Sequence, residues 1–205
     1  MNISITVDKE ILSEFSRILR KGIKVEGNVG MSLGDFLRTE VGMSPEYIEG
    51  RIQTIFLNGS PVDNVEAAVV EDGDTLALSA SMPGLVGVSM RKGGHLARFR
   101  SEISYDETRK AKGTAKGRVI IKLFNLLARE MAPLFLERGV IVDGEELAFF
   151  FDSQNETVRA ALKSIEIDGK AAEIEKLKEV DWAQREVFLR VRVLGSTTGN
   201  GRKDS

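Results

Sequence analysis

Residues 52–87 read IQTIFLNGSPVDNVEAAVVEDGDTLALSASMPGLVG, and the order of elements in this stretch decides what the chain can be. Ile52, Thr54 and Phe56 alternate with Ile55 and Leu57 in a β-branched and aromatic run, the composition of a buried strand. Asn58-Gly59 supplies the positive φ of a tight turn, Ser60-Pro61 continues it, and Val62 re-enters the sheet. Glu71-Asp72-Gly73-Asp74 is a second turn, with Gly73 where the backbone must be left-handed. Thr75 to Leu78 form the next strand. Ser79 to Gly87 has no periodicity and holds Pro83, Gly84 and Gly87, so it reads as a tail or a rigid linker.

Toward the N-terminus, Ile3, Ile5 and Val7 alternate with Asn2, Ser4 and Thr6, a first strand with one wet face. Ile11, Phe15, Ile18 and Leu19 recur at helical spacing, which predicts a helix from Lys9 to Lys21 stopped by Gly22. Ile23 to Glu26 is a short second strand. Ser32 opens a capping-box-like start to a helix carrying Phe36 and Leu37, and Ser44-Pro45 starts a further helical turn.

Taken together, "LNGSPVD", the "EDGDTLAL" turn and strand, and the short Pro/Gly tail resemble the last half of a β-grasp, ubiquitin-like sulfur carrier of the MoaD/ThiS family. The resemblance covers residues 1–87 and implies a β-grasp roll in which a helix lies across a mixed sheet. In that family the chain ends on a diglycine whose carboxylate is activated and then carries sulfur. Here Gly84 stands at the first tail glycine, Leu85 replaces the second, and the chain continues, so an internal amide takes the place of the acid. The resemblance therefore implies a non-catalytic relative that binds a partner protein through its sheet face and tail, the segment Pro83, Gly84, Leu85, Gly87. Its alternative is a carrier precursor, cut after Gly84 or after Gly94 of Gly93-Gly94.

Beyond Gly87, Val86, Val88 and Met90 read as a short strand, Arg91 to Gly94 as a turn, and Leu96 to Ile103 as a returning strand. Residues 109–118, RKAKGTAKGR, lack an apolar anchor and read as a loop. Val119 to Leu136 reads as a buried helix with Lys122, Asn125 and Arg129 on its wet side, kinked or ended by Pro133. Hairpins are expected around Asp143-Gly144 and Asp168-Gly169. Between them lies a helix capped by Ser153 or Asn155 and carrying Val158, Ala161, Leu162 and Ile165. Val187, Leu189, Val191 and Val193 mark the last strand, and the polar, Gly-rich end should fray. The expected organisation is α+β: a β-grasp domain at 1–87, a second α+β domain of hairpins and two helices at 88–195, and a tail at 196–205.

The chain of 205 residues, 42% hydrophobic and 29% charged with a net charge of -2, has the composition of a soluble globular protein. It has no Cys and one His, which excludes disulfides, thiolate nucleophiles, Cys-ligated zinc and a multi-histidine metal site within one subunit. The N-terminus carries no secretory pattern and no segment reads as a membrane span, so residence in the cytoplasm is expected. No phosphate-binding loop, Rossmann fingerprint, catalytic-serine elbow or HExxH motif occurs. No enzymatic activity and no cofactor is expected.

The clearest local chemistry is a basic belt. Residues 88–122 hold ten Lys/Arg against three acids: Arg91, Lys92, Arg98, Arg100, Arg109, Lys110, Lys112, Lys116, Arg118 and Lys122, with His95 beside them. Such a belt can follow an acidic protein surface or a phosphate backbone, or serve as a solvated loop beside acidic surface. Phe99 and Tyr105 are its only aromatics, too few for base stacking, which ranks nucleic acid below an acidic protein partner.

Overall fold

The computed structural model describes residues 1–96, 100, 103–105, 109–111, 113–153, 156–183 and 185–195. Arg98, Lys112, the cap expected at Asn155 and the tail at 196–205 lie outside them.

The chain opens with β1 (Asn2–Val7), a 3-10 segment (Lys9–Phe15) and α1 (Ser16–Lys21), ended by Gly22 at φ +129°. There follow β2 (Ile23–Val29), β3 (Met31–Ser32), α2 (Leu33–Asp35), a π-helical turn (Phe36–Val41) and α3 (Pro45–Gly50). Ser32 and Ser44 cap α2 and α3 by accepting from the amides of Asp35 and Tyr47. Next come β4 (Thr54–Leu57), β5 (Ser60–Pro61), β6 (Val69–Val70), β7 (Thr75–Ser79), α4 (Gly84–Met90) and β8 (Ala115–Phe124). The remainder is α5 (Leu126–Glu130), α6 (Ala132–Arg138), β9 (Val140–Asp143), α7 (Gly144–Asp152), α8 (Glu156–Ala161), β10 (Leu162–Ile167), β11 (Lys170–Ala172), a 3-10 segment (Ile174–Glu179) and β12 (Glu186–Val193).

The architecture is mixed α and β around one 10-stranded sheet, ordered β11-β10-β1-β12-β9-β2-β8-β7-β4-β5. Ile3, Ile5, Val25, Ile55, Leu76, Leu78, Val119, Ile121, Val187 and Leu189 point to one face and are buried with Phe15, Ile18, Leu37, Phe135 and Phe150 from the helical segments. The opposite face carries Ser4, Lys24, Glu26, Phe56, Ala77, Arg118, Lys122, Arg190 and Arg192, none of them buried.

A pseudo-twofold axis normal to the sheet passes between β9 and β2. From β9 outward the pairings run antiparallel to β12, parallel to β1, antiparallel to β10, antiparallel to β11. From β2 outward they run antiparallel to β8, parallel to β7, antiparallel to β4, antiparallel to β5, the same series. Local detail repeats as well. Asn58 and Asp168 are non-glycine residues at φ +52° and +48°, each followed by a positive-φ glycine. The Asn58 amide donates to Thr75 O and the Asp168 amide to Asn2 O, both at 2.8 Å. In return Thr75 N–H donates to Asn58 Oδ1 (2.8 Å) and Asn2 N–H to Asp168 Oδ1 (2.7 Å). Gly22 and Gly139 correspond too. A Cβ on Gly22 would lie 3.2 Å from the Ile120 methyl, and one on Gly139 would lie 2.2 Å from the Phe188 ring.

Each half-sheet borrows a strand from far away in the chain. β8 completes the half built from residues 23–79, and β1 completes the half built from residues 140–193. A boundary at residue 87 therefore does not divide the sheet into two, because the strands before and after it interleave.

Several local expectations change. Residues 84–90 are a helix rather than linker and strand, and Leu96, Arg100 and Ile103 are not in a strand. Residues 115–124 are a strand, not a loop followed by a helix. Val119, Ile121 and Leu123 are buried while Ile120, Lys122 and Phe124 are not, a period of two that outweighs the helical spacing of Lys122, Asn125 and Arg129. Pro133 sits in the first turn of α6, where a missing N–H is harmless. Asp143-Gly144 is a helix start and not a hairpin, since Asp143 Oδ1 accepts the Glu145 amide. Leu162 and Ile165 belong to β10, past the end of the helix expected to carry them.

Candidate functional site

The tail-like segment is folded down. Pro83 precedes the first turn of α4, and Gly84 begins that helix at φ +72°. Gly87 is buried against the preceding chain, where an added Cβ would lie 1.7 Å from Met82 O, so only glycine fits. Leu85, Val86 and Val88 stand 77%, 59% and 54% exposed on the helix. Beyond it, the Lys92 amide donates to Gln53 O (2.7 Å) and its Nζ to Ile48 O (3.0 Å), and burial lowers the Lys92 pKa.

Half of the described cations of the basic belt, Lys92, Arg100, Arg109 and Arg118, are committed to internal contacts. Arg100 is buried. Its guanidinium donates to Asp63 Oδ1 (2.7 Å), Ser89 O (2.7 Å) and Ser104 Oγ (2.9 Å), while the Gly93 amide donates to the same Asp63 oxygen at 2.9 Å. Asp63 thus ties Gly93 and Arg100 to the loop after β5. Arg109 pairs with the buried Asp74 at 2.9 Å and with Glu71 at 3.6 Å. Arg118 pairs with Glu26 at 2.7 Å and Glu186 at 2.9 Å. Arg91, His95, Lys110 and Lys116 are exposed. The sequence groups these cations by position, and the fold distributes them among carboxylates it does not name. Among the described residues no three His, Asp or Glu gather as a metal-binding group.

The site that stands out was not singled out by motif. On the open face of β4, β7 and β8 lies an apolar trough of about 530 Å³, walled at one end by Met82 and Pro83. Its floor follows from strand alternation and register: Phe56, Ala77 and Lys122 form one cross-strand row, and Ser79 and Phe124 the next. Asn125 closes the end of β8 at φ +54°, held there as its Nδ2 donates to Ser81 O (2.6 Å) and Ser79 Oγ (3.0 Å). Phe124 is 38% exposed and the adjoining Leu126 51%. Among the described residues the lining includes no acid, and Lys122 is its one charged residue.

The symmetry-related position is different in kind. There the rows are Glu166, Ser4 and Arg190, then Thr6 and Arg192, and a smaller hollow of about 240 Å³ is lined by Ser4, Glu166, Arg190 and Arg192 with the Phe188 ring among them. Phe56 corresponds to Glu166, Ala77 to Ser4, Lys122 to Arg190 and Phe124 to Arg192.

No family model matches the chain, no curated protein matches it in sequence, and no solved structure matches it in fold. The signal that could have located the trough is the outward set Phe56, Ala77 and Phe124: apolar residues on strand positions that alternation assigns to solvent.

Proposed function

We propose that the chain is a non-catalytic β-grasp-type binding module, akin to the sulfur carriers in its roll, that engages a partner protein through the trough on β4, β7 and β8. The strand order β2-β8-β7-β4-β5 supports the roll. Its parallel pair is central, and the helical segment at 33–50 follows β2. In this reading β8 takes the place that the resemblance gives to residues 2–7. Fold alone does not name a role. The observation that carries the role is the contrast between the halves. The same scaffold accepts Glu166, Ser4 and Arg192 where the trough has Phe56, Ala77 and Phe124, so apolar side chains there are not a requirement of folding. Exposed apolar surface beyond what the fold requires marks an interaction site. The internal amide after Gly84, within a helix seated by Gly87, supports binding over sulfur transfer.

Site-specific photo-crosslinking in the native host tests this. A photoreactive residue at position 56 should give a discrete protein adduct that Phe124→Arg abolishes, and the same residue at position 166 should give none. Equal adducts at both positions, or none at 56, would refute the reading. A mature chain ending at Gly84 or Gly94 would replace it with that of a processed carrier.

A further inference from the structure

On the β8 rim of the trough, Lys122, whose side chain runs beside Gly22, carries a charge its surroundings do not answer. Lys122 is half-buried, and among the described residues no carboxylate stands within ion-pair distance of it. Its counterpart Arg190 has Glu166 two strands away across Ser4. In the trough that acidic position is Phe56, across Ala77. The acid is therefore missing from a row whose cation is retained, and the replacement is an aromatic ring. A cation flanked by apolar groups interacts more strongly with a carboxylate than one in open water, because the local dielectric is lower.

Resting on the binding reading above, we infer that the trough takes an extended segment of a partner polypeptide in which an acidic residue is flanked by apolar ones. The carboxylate meets Lys122 Nζ. In an extended chain the side chains two residues to either side share the face of the acid, and these are the apolar ones: one lies toward Phe56 and Ala77, the other toward Phe124 and Met82. The length fits: the five residues of β7 span about 13 Å at the rise of a strand, room for about four residues of extended chain.

The test uses the full chain, labelled with ¹⁵N, and two blocked peptides, Ac-Leu-Val-Glu-Leu-Phe-NH2 and its Gln counterpart. The Glu peptide should shift the amide resonances of Ala77, Lys122 and Phe124, and the Gln peptide should bind roughly fivefold more weakly. Lys122→Met should make the two peptides equal while leaving the weaker, apolar binding in place. Equal affinities on the unaltered protein, shifts centred on β1 and β12, or no shift at millimolar peptide would each overturn the inference. So would decanoate binding the trough more tightly than the Glu peptide, which would assign it to a lipid acid. If crosslinking at position 56 persists while Glu and Gln peptides bind alike, this inference alone fails and the binding module stands.

Discussion

The two halves of the sheet share their pairing series, the geometry of their Asn58 and Asp168 turns, and a glycine ahead of their inner strands, yet the open-face rows of their outer strands differ, more apolar in one and more charged in the other. One half shows Glu166, Ser4, Arg190 and Arg192, the other Phe56, Ala77, Lys122 and Phe124. Inward residues are apolar in both, because both pack on helices. The comparison separates what the fold demands from what it only permits. Core positions are set by burial, whereas the outward positions are free to be polar in one copy and apolar in the other.

The comparison breaks first if the halves are independent. Ile121 on β8 and Leu189 on β12 hold equivalent inward positions and are both buried. Truncating either to Ala should cost about 2–5 kcal/mol, from lost burial and a residual cavity. Because β1 and β8 each lie in the half built by the other end of the chain, either variant should lower one cooperative transition common to the whole molecule. Two transitions in calorimetry, with each variant moving only one, would show that the halves unfold separately.

The turns sharpen it. Asn58→Ala and Asp168→Ala each remove an oxygen that accepts a neighbouring strand's amide, and each leaves alanine at a left-handed φ. Each should cost about 1–2 kcal/mol by chemical denaturation. Asn58→Ala should cost more, because Asn58 Nδ2 also donates to the buried Asp74 at 2.6 Å, a contact with no counterpart at Asp168 among the described residues. Equal losses would mean that Arg109 and the Glu71 amide hold Asp74 without help from Asn58.

How much of this was legible follows from what each signal encodes. Strict alternation at Asn2–Val7, Thr75–Ser79 and Glu186–Val193, and the pairs Asn58-Gly59, Asp72-Gly73 and Asp168-Gly169, locate strands and turns correctly, since period and positive φ are local properties, whereas Asp143-Gly144 misleads because Asp before Gly also starts helices. Partner choice is not local: nothing in NISITV says that β1 lies between β10 and β12 rather than beside β2. The helix at 84–90 escaped because its glycines and proline read as punctuation, although Gly87 is needed for a close approach within folded structure. The symmetry did have a sequence trace, LRKGIKVEG at 19–27 against LERGVIVDG at 136–144, each a helix end, a glycine and an inner strand. The trough had only the weaker trace of apolar residues in solvent-facing strand positions.

The smallest expected effect lies at the seam. Glu186 on β12 accepts from Lys24 on β2 and from Arg118 on β8, at 2.9 Å for the latter, so it links the two halves across their open face. The Lys24 ammonium, then Arg118, hold the Glu186 carboxyl below its ordinary value of 4.5. A depressed folded value means that this contribution is full above pH 4.5 and is lost as pH falls through the lower value in the folded chain. Glu186→Gln should therefore lower stability at neutral pH by about 1 kcal/mol or less, since its side chain is 43% exposed and screened by solvent. The deficit should shrink in high salt and disappear in acid. A deficit that persists at low pH would show that Glu186 acts through packing or a neutral hydrogen bond. The charges at the seam would then contribute nothing to joining the two half-sheets, and the pairing of β2 with β9, the shared core and the borrowed strands β1 and β8 would carry that task.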